Sequence, residues 1–173
     1  IVGYVPQKAV MFSGSVLSNI TFGKNRHGKP SKERVKAAIR VSQAEEFVSK
    51  LDDKEKAHIA QGGTNVSGGQ KQRLSIARTI ARDPEIYIFD DSFSALDYKT
   101  DSTLRSELKK YTKDATVMIV AQRIGTILNA DKIVVLDNGK CVGIGTHKEL
   151  MKKCKVYKEI ALSQVSKEEL ENV

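Results

Sequence analysis

At 173 residues, with 40% hydrophobic and 29% charged side chains, the chain has the length and composition of one soluble globular domain with a single sizeable core. A net charge of +8 would suit nucleic acid or an anionic surface, but the lysines are mixed with acids ("KLDDKEK", "SKEELE") and no basic block with interleaved aromatics occurs, so the expectation is a solvated surface with a basic excess. No apolar run approaches the ~20 residues of a membrane helix, the best being "TVMIVA" and "KIVVL", so this chain is not expected to span a membrane itself.

The start, "IVGYVPQ", has neither an initiator Met nor a basic-then-apolar leader, so no signal peptide is expected and the chain reads as a domain entered partway through. Residues 1–5 read as a short buried strand that Pro6 ends, because proline supplies no ladder N–H. Next comes "GKNRHGKPS" (23–31), one residue away from the phosphate-binding pattern G-x-x-x-x-G-K-[ST]. Pro30 stands where a metal-binding hydroxyl would be needed, and the residues before Gly23 lack a clean buried-strand run. A surface loop is therefore expected here, with Ser31 capping the helix that follows. That helix fills roughly 32–50, where Val35, Ala38, Ile39, Val41 and Ala44 form one apolar stripe.

A second helix is expected after "VSGGQ", because Leu74, Ile76, Ala77, Ile80 and Ala81 recur at helical spacing and Asp83-Pro84 stop it. A buried strand at 85–90, a helix at 100–111, a buried strand at 115–121 and a short helix near 123–129 follow. Residues 132–145 read as a hairpin turning at Asp137-Asn138-Gly139. The last third is helical, with capping boxes at Thr146/Glu149 and Ser166/Glu169. Near-continuous apolar strands alternating with helices predict an α/β fold: a parallel sheet covered on both faces, with a helical insertion around 12–65. Cys141 and Cys154 lack C-x-x-C spacing, which argues against a disulfide framework, and His27, His58 and His147 make no metal pattern.

Chemistry concentrates in residues 65–97. Ser67-Gly68-Gly69 opens a helix whose first N–H groups are unpaired and whose dipole is positive at that end, so an anion can dock there; a flexible cap turn is the plainer alternative. Asp90 ends a buried strand at its carboxyl edge, where open α/β sheets bind ligands and a carboxylate can hold magnesium, or it is a satisfied structural aspartate. Gln7 could orient water or serve as a neutral ligand near a metal, although Pro-Gln also occurs in plain loops.

Taken in order, these stretches resemble the ABC transporter nucleotide-binding domain. "VSGGQ" (66–70) is similar to that family's signature motif, "IYIFD" (86–90) to its Walker B strand, "SALD" (94–97) to its D-loop and "YVPQ" (4–7) to its Q-loop. "FSGSVLSNI" (12–20) is similar to the exporter segment after the Q-loop, and residues 121–151 to the H-loop and C-terminal hairpin. The resemblance covers nearly the whole chain. It implies a P-loop-NTPase-like parallel sheet core covered by helices, in residues 1–11 and 83–173, with an inserted α-helical subdomain at about 12–82. The family's phosphate loop precedes the Q-loop strand, so Walker A and the aromatic that stacks on adenine would belong before Ile1, and the Gly23 loop would be a decoy.

The resemblance further implies ATP and Mg2+ as cofactors, with Asp90 and Gln7 at the metal and Ser67, Gly68, Gly69, Gln70 and Asp97 at nucleotide. Asp91 and Gln122 would be the catalytic positions, and both depart from the family, which usually has Glu and His there. One methylene is missing at Asp91, and a displacement of about 1 Å can cost on the order of a hundredfold in rate. Gln122 can donate a neutral hydrogen bond to a γ-phosphate but has no ionisable ring. Together they resemble the degenerate half of a bacterial heterodimeric multidrug-type exporter, whose own site is slow while its signature serves the partner's site. The implied partners are a second, non-identical nucleotide-binding domain and the coupling helices of a transmembrane domain at the cytoplasmic face of the membrane, with no nucleic acid. A soluble ABC protein acting on nucleic acid or ribosomes, and a regulatory module that binds ATP without turnover, are the competing functions.

Overall fold

The computed structural model describes residues 1–23 and 28–164, and its contacts divide the chain into two units, Ile1–Val120 and Ala121–Val173. In the first, β1 (Val2–Val5) leads through a short strand, β2 (Gly14–Ser15), into helix α1 (Val16–Ile20). Then come α2 (Lys32–Val41), α3 (Glu45–Ser49), β3 (His58–Ile59), α4 (Gly68–Ala81), β4 (Ile86–Asp90), α5 (Tyr98–Tyr111) and β5 (Thr116–Val120). The expected 32–50 helix is two helices: Gln43 turns to φ +58°, and the N–H groups of Gln43 and Ala44 close back on the carbonyls of Arg40 and Ile39. Apolar spacing carries through the break because Ala44, Phe47 and Val48 are buried on the same core as Val35 and Ile39, so periodicity alone could not reveal it. The insertion is also not wholly helical, since β2 pairs antiparallel with β3 inside it.

β1, β4 and β5 form a parallel sheet in that order, with β4 central and with Val2, Ile86 and Thr116 in register. One face is dry: Val5, Tyr87 and Phe89 are at most 1% exposed and join Leu74, Ile76 and Ile80 of α4 in the core. Gly3 permits the close fit of β1, because a β-carbon there would lie 2.6 Å from side-chain atoms of both Thr79 and Pro84. The opposite face departs from the expected burial on both sides. Val2, Tyr4, Met118 and Val120 are 48 to 56% exposed, so the strands at 1–5 and 115–121 are not fully buried. Pattern reports the whole environment a strand avoids, whereas the described helices of this unit supply cover for one face.

The second unit comprises α6 (Ile124–Ile127), the hairpin β6 (Ile133–Asp137) and β7 (Lys140–Gly145), then α7 (His147–Lys153) and α8 (Lys155–Gln164). Asn138-Gly139, both at positive φ, make the two-residue turn the sequence predicts. Its core gathers Ile124, Ile133, Val135, Leu150, Tyr157 and Ala161. The Thr146/Glu149 capping box forms, while Ser166/Glu169 and His27 lie outside the described residues. Cys141 is an exposed free thiol and Cys154 a buried one.

Candidate functional site

Parallel register carries the ends of β1 and β4 out level with each other: Val5 pairs with Phe89, and two residues further on stand Gln7 and Asp91. The structure brings these two together, with Nε2 of Gln7 donating to Oδ2 of Asp91 at 3.0 Å across 84 residues of sequence. Asp91 sits at φ +43°, a left-handed conformation that Asp and Asn tolerate better than most residues, and its N–H donates to the Val120 carbonyl at 2.9 Å. Asp90, half-buried, accepts a 2.8 Å hydrogen bond on Oδ2 from the Tyr4 hydroxyl, which that bond holds above the usual phenol range. Ser92 is buried and donates to the Val5 carbonyl, and Phe93 packs on Phe89 with ring centroids 5.2 Å apart. The loop after β4 is thereby pinned to β1 and to the core.

Ser67 caps α4 in a complete capping box: its Oγ accepts from the Gln70 N–H, and Oε1 of Gln70 accepts from the Ser67 N–H at 2.9 Å. The oxygen of the Gln70 side chain is thus engaged at the cap. Gly68 faces open space, whereas a β-carbon on Gly69 would lie 3.4 Å from the Ala95 carbonyl oxygen, so the start of α4 rests against residues 94–97. Asp97, exposed, caps α5 by accepting from the Thr100 N–H at 3.0 Å, and this bond lowers its carboxyl below the usual range. The start of α4, a helix of 14 residues, can receive an anion, and the carboxylates at the sheet edge can receive a hard cation. Gln122 is exposed and belongs to the other unit, where its carbonyl accepts from Nε2 of Gln164 at 2.7 Å.

In the Gly23 loop, Ser31 accepts the Arg34 N–H as the cap of α2, and the loop follows α1 rather than a strand, so the described part is a surface connection. Lys24–His27 lie outside the described residues.

Several residues that shape this region escaped the sequence reading. Gln72, 2% exposed, donates from Nε2 to the Pro6 carbonyl at 3.0 Å, tying the turn before Gln7 to α4. Arg78 spreads over the segment after Gln7, donating to the carbonyls of Asn19 and Val10 and to Oδ1 of Asn19, while its guanidinium lies over the stacked rings of Phe12 and Phe22. Arg73 binds the Gln43 carbonyl at 2.8 Å and lies over Phe47. Polar Gln72 in step with buried Ile76 and Ile80 was the available signal, since a polar group in an apolar stripe needs a partner. Tyr4 offered none.

Hard oxygen donors are the right chemistry for magnesium, and Asp90 and Gln7 supply a carboxylate and a carboxamide oxygen. Among the described residues no cluster of three or more His, Cys, Asp or Glu side chains forms.

The sequence model of the ABC transporter family matches residues 1–94. An ABC transporter ATP-binding protein of Mycobacterium tuberculosis is 45% identical over 163 residues, covering 94% of this chain and 28% of that protein. A putative export ATP-binding/permease protein of Rickettsia conorii is 39% identical, covering 96% of this chain and 28% of its own length. Among solved structures, an ATP-bound bacterial Atm1-family ABC exporter superposes with a TM-score of 0.87 at 32% identity, over 94% of this chain and 28% of that one. The chain thus spans a little over a quarter of the proteins it matches, and it belongs to the ABC transporter family.

Proposed function

We propose that the chain is the ATP-binding and ATPase part of an exporter, working within a longer polypeptide that includes a transmembrane domain, at the cytoplasmic face of the membrane. The observation that carries this reading is the convergence of Gln7 and Asp91 beside Asp90 at the carboxyl edge of the sheet. Asp90 and Gln7 would hold Mg2+, which would neutralise charge on the β- and γ-phosphates of ATP. Asp91, tethered by Gln7, orients water, and Gln122 donates to the γ-phosphate. Ser67, Gly68, Gly69 and Asp97 face a nucleotide held by a second, non-identical domain, with Gln70 shaping the cap. Residues 12–82 act as the helical subdomain that receives coupling helices; the partly exposed Phe12, Leu17 and Phe22 support this.

With Asp for Glu and Gln for His, this chain's own site retains ATP while the partner's site turns over. Trapping nucleotide in the working full-length heterodimer tests this: intact ATP is expected on this chain and ADP on the partner. Equal ADP on both would refute the asymmetry.

A further inference from the structure

Gln122 stands on irregular backbone just ahead of α6, a helix of four residues. So short a helix cannot stabilise its own first turn, and the Arg123 side chain at the cap position carries donors and no acceptor for a free N–H. The acceptor arrives from 40 residues away. Oε1 of Gln164 receives the Ile124 N–H at 2.9 Å, and Nε2 of the same carboxamide donates to the Gln122 carbonyl at 2.7 Å. One side chain therefore grips the backbone on both sides of Arg123, and two bonds from a planar group fix orientation as well as position. Gln164 is the last residue of α8, which is seated in the core of this unit by Tyr157 and Ala161, 2% and 0% exposed.

We infer that Gln164 is a positioning residue for Gln122, setting the backbone from which the Gln122 side chain reaches nucleotide. The inference rests on the proposed contact of Gln122 with the γ-phosphate. It needs one donor and one acceptor on the same group. Gln164→Glu keeps the acceptor for Ile124 but sets oxygen against the Gln122 carbonyl, and Gln164→Met keeps the length while losing both bonds.

The test is the preference of this chain's site for ATP over ADP in the full-length transporter with its partner, read by displacement of a photoreactive ATP cross-linked to this chain. Gln122→Ala should cut that preference about tenfold, the usual cost of a hydrogen bond to a charged group. Gln164→Glu and Gln164→Met should each cut it roughly three- to tenfold with ADP affinity unchanged. Gln122→Ala combined with Gln164→Met should do no more than Gln122→Ala alone, and amide exchange at Ile124 should quicken in Gln164→Met. Equal losses for ATP and ADP, additive losses in the double variant, or unchanged exchange would overturn the clamp. If Gln122→Ala lowers the preference and the Gln164 variants do not, the clamp alone is wrong. If Gln122→Ala itself leaves the preference intact, the γ-phosphate reading fails and the clamp falls with it.

Discussion

Residues 90–97 and residues 121–123 both carry proposed chemistry, yet they are held in different ways. The first stretch is gripped along its length: Tyr4 and Gln7 bind its two carboxylates, buried Ser92 hooks the Val5 carbonyl, Phe93 sits in the aromatic core, and Asp97 caps α5. The second is exposed at Gln122 and Arg123, and the Gln164 carboxamide holds its backbone on both sides of Arg123. A stretch tied to the core through several buried contacts keeps its place when one is lost, whereas exposed backbone held in part by a distant side chain responds when that side chain changes. The first stretch should therefore respond to changes at the reacting groups themselves, and the second to changes at a distance.

The largest expected effect lies where the signature helix meets the first stretch. Gly69→Asp places a carboxylate at a helix start proposed to meet phosphate and presses a side chain toward the Ala95 carbonyl, 3.4 Å from the β-carbon position. ATPase of the proposed full-length heterodimer at saturating MgATP should fall by about a hundredfold or more, the scale of losing an anion-stabilising donor. Asp91→Asn, which suits the same left-handed backbone, should alter it by no more than a few-fold. Comparable damage from both would mean that this chain's own site turns over.

Next in size is Arg78→Met. Three hydrogen bonds to oxygen and the cation–π contacts with Phe12 and Phe22 are made by the guanidinium, so the variant should lose about 2 kcal/mol, roughly thirtyfold in the local opening equilibrium. Hydrogen exchange over residues 10–22 of the full transporter measures it, and unchanged protection would show that Asn19 alone holds the segment.

Asp91→Glu with Gln122→His should raise hydrolysis at this chain's own site by about tenfold, a fraction of the 10²–10⁴ typical of acid–base groups. The restored Glu inherits the grip of its loop, while the His inherits a backbone that depends on Gln164. Adding Gln164→Met should therefore erase more of the gain than adding Tyr4→Phe. Site-resolved turnover decides, and the reverse order would invert the contrast between the two stretches.

The smallest effect is a pH dependence confined to the second unit. His147 is buried with Nδ1 2.8 Å from the Tyr157 hydroxyl, and burial, helped by Lys148, lowers its pKa from the ordinary 6.5. A depressed folded value means that the unfolded chain takes the proton first. Stability from this group is complete above about 6.5 and is lost as the pH falls toward the folded value. Protection of α7 and α8 relative to the intrinsic exchange rate at each pH should fall modestly from about pH 7.5 to about pH 5.5, and His147→Gln should flatten the trend. Greater protection at the lower pH would show that the fold prefers the charged ring.

The sequence by itself determined the helix starts and the hairpin. Ser31, Ser67 and Thr146 each cap a helix by accepting an N–H three residues on, so the information is complete within four residues; Asp97 does the same for α5, which begins two residues before the expected 100. The sequence likewise placed Asp90 and Asp91 at a strand end and, with Pro30 where a metal-binding hydroxyl would stand, predicted a surface connection at Gly23 with Ser31 capping the next helix. Tertiary structure alone decided the break at Gln43, the open face of the sheet, the tether of Gln7 to Asp91 and the clamp of Gln164 on the Gln122 backbone. The physical reason is range. Capping and turns are settled between neighbours, whereas a hydrogen bond across 84 or 42 residues exists only once strand register and helix packing have set both ends, and no local pattern encodes that distance.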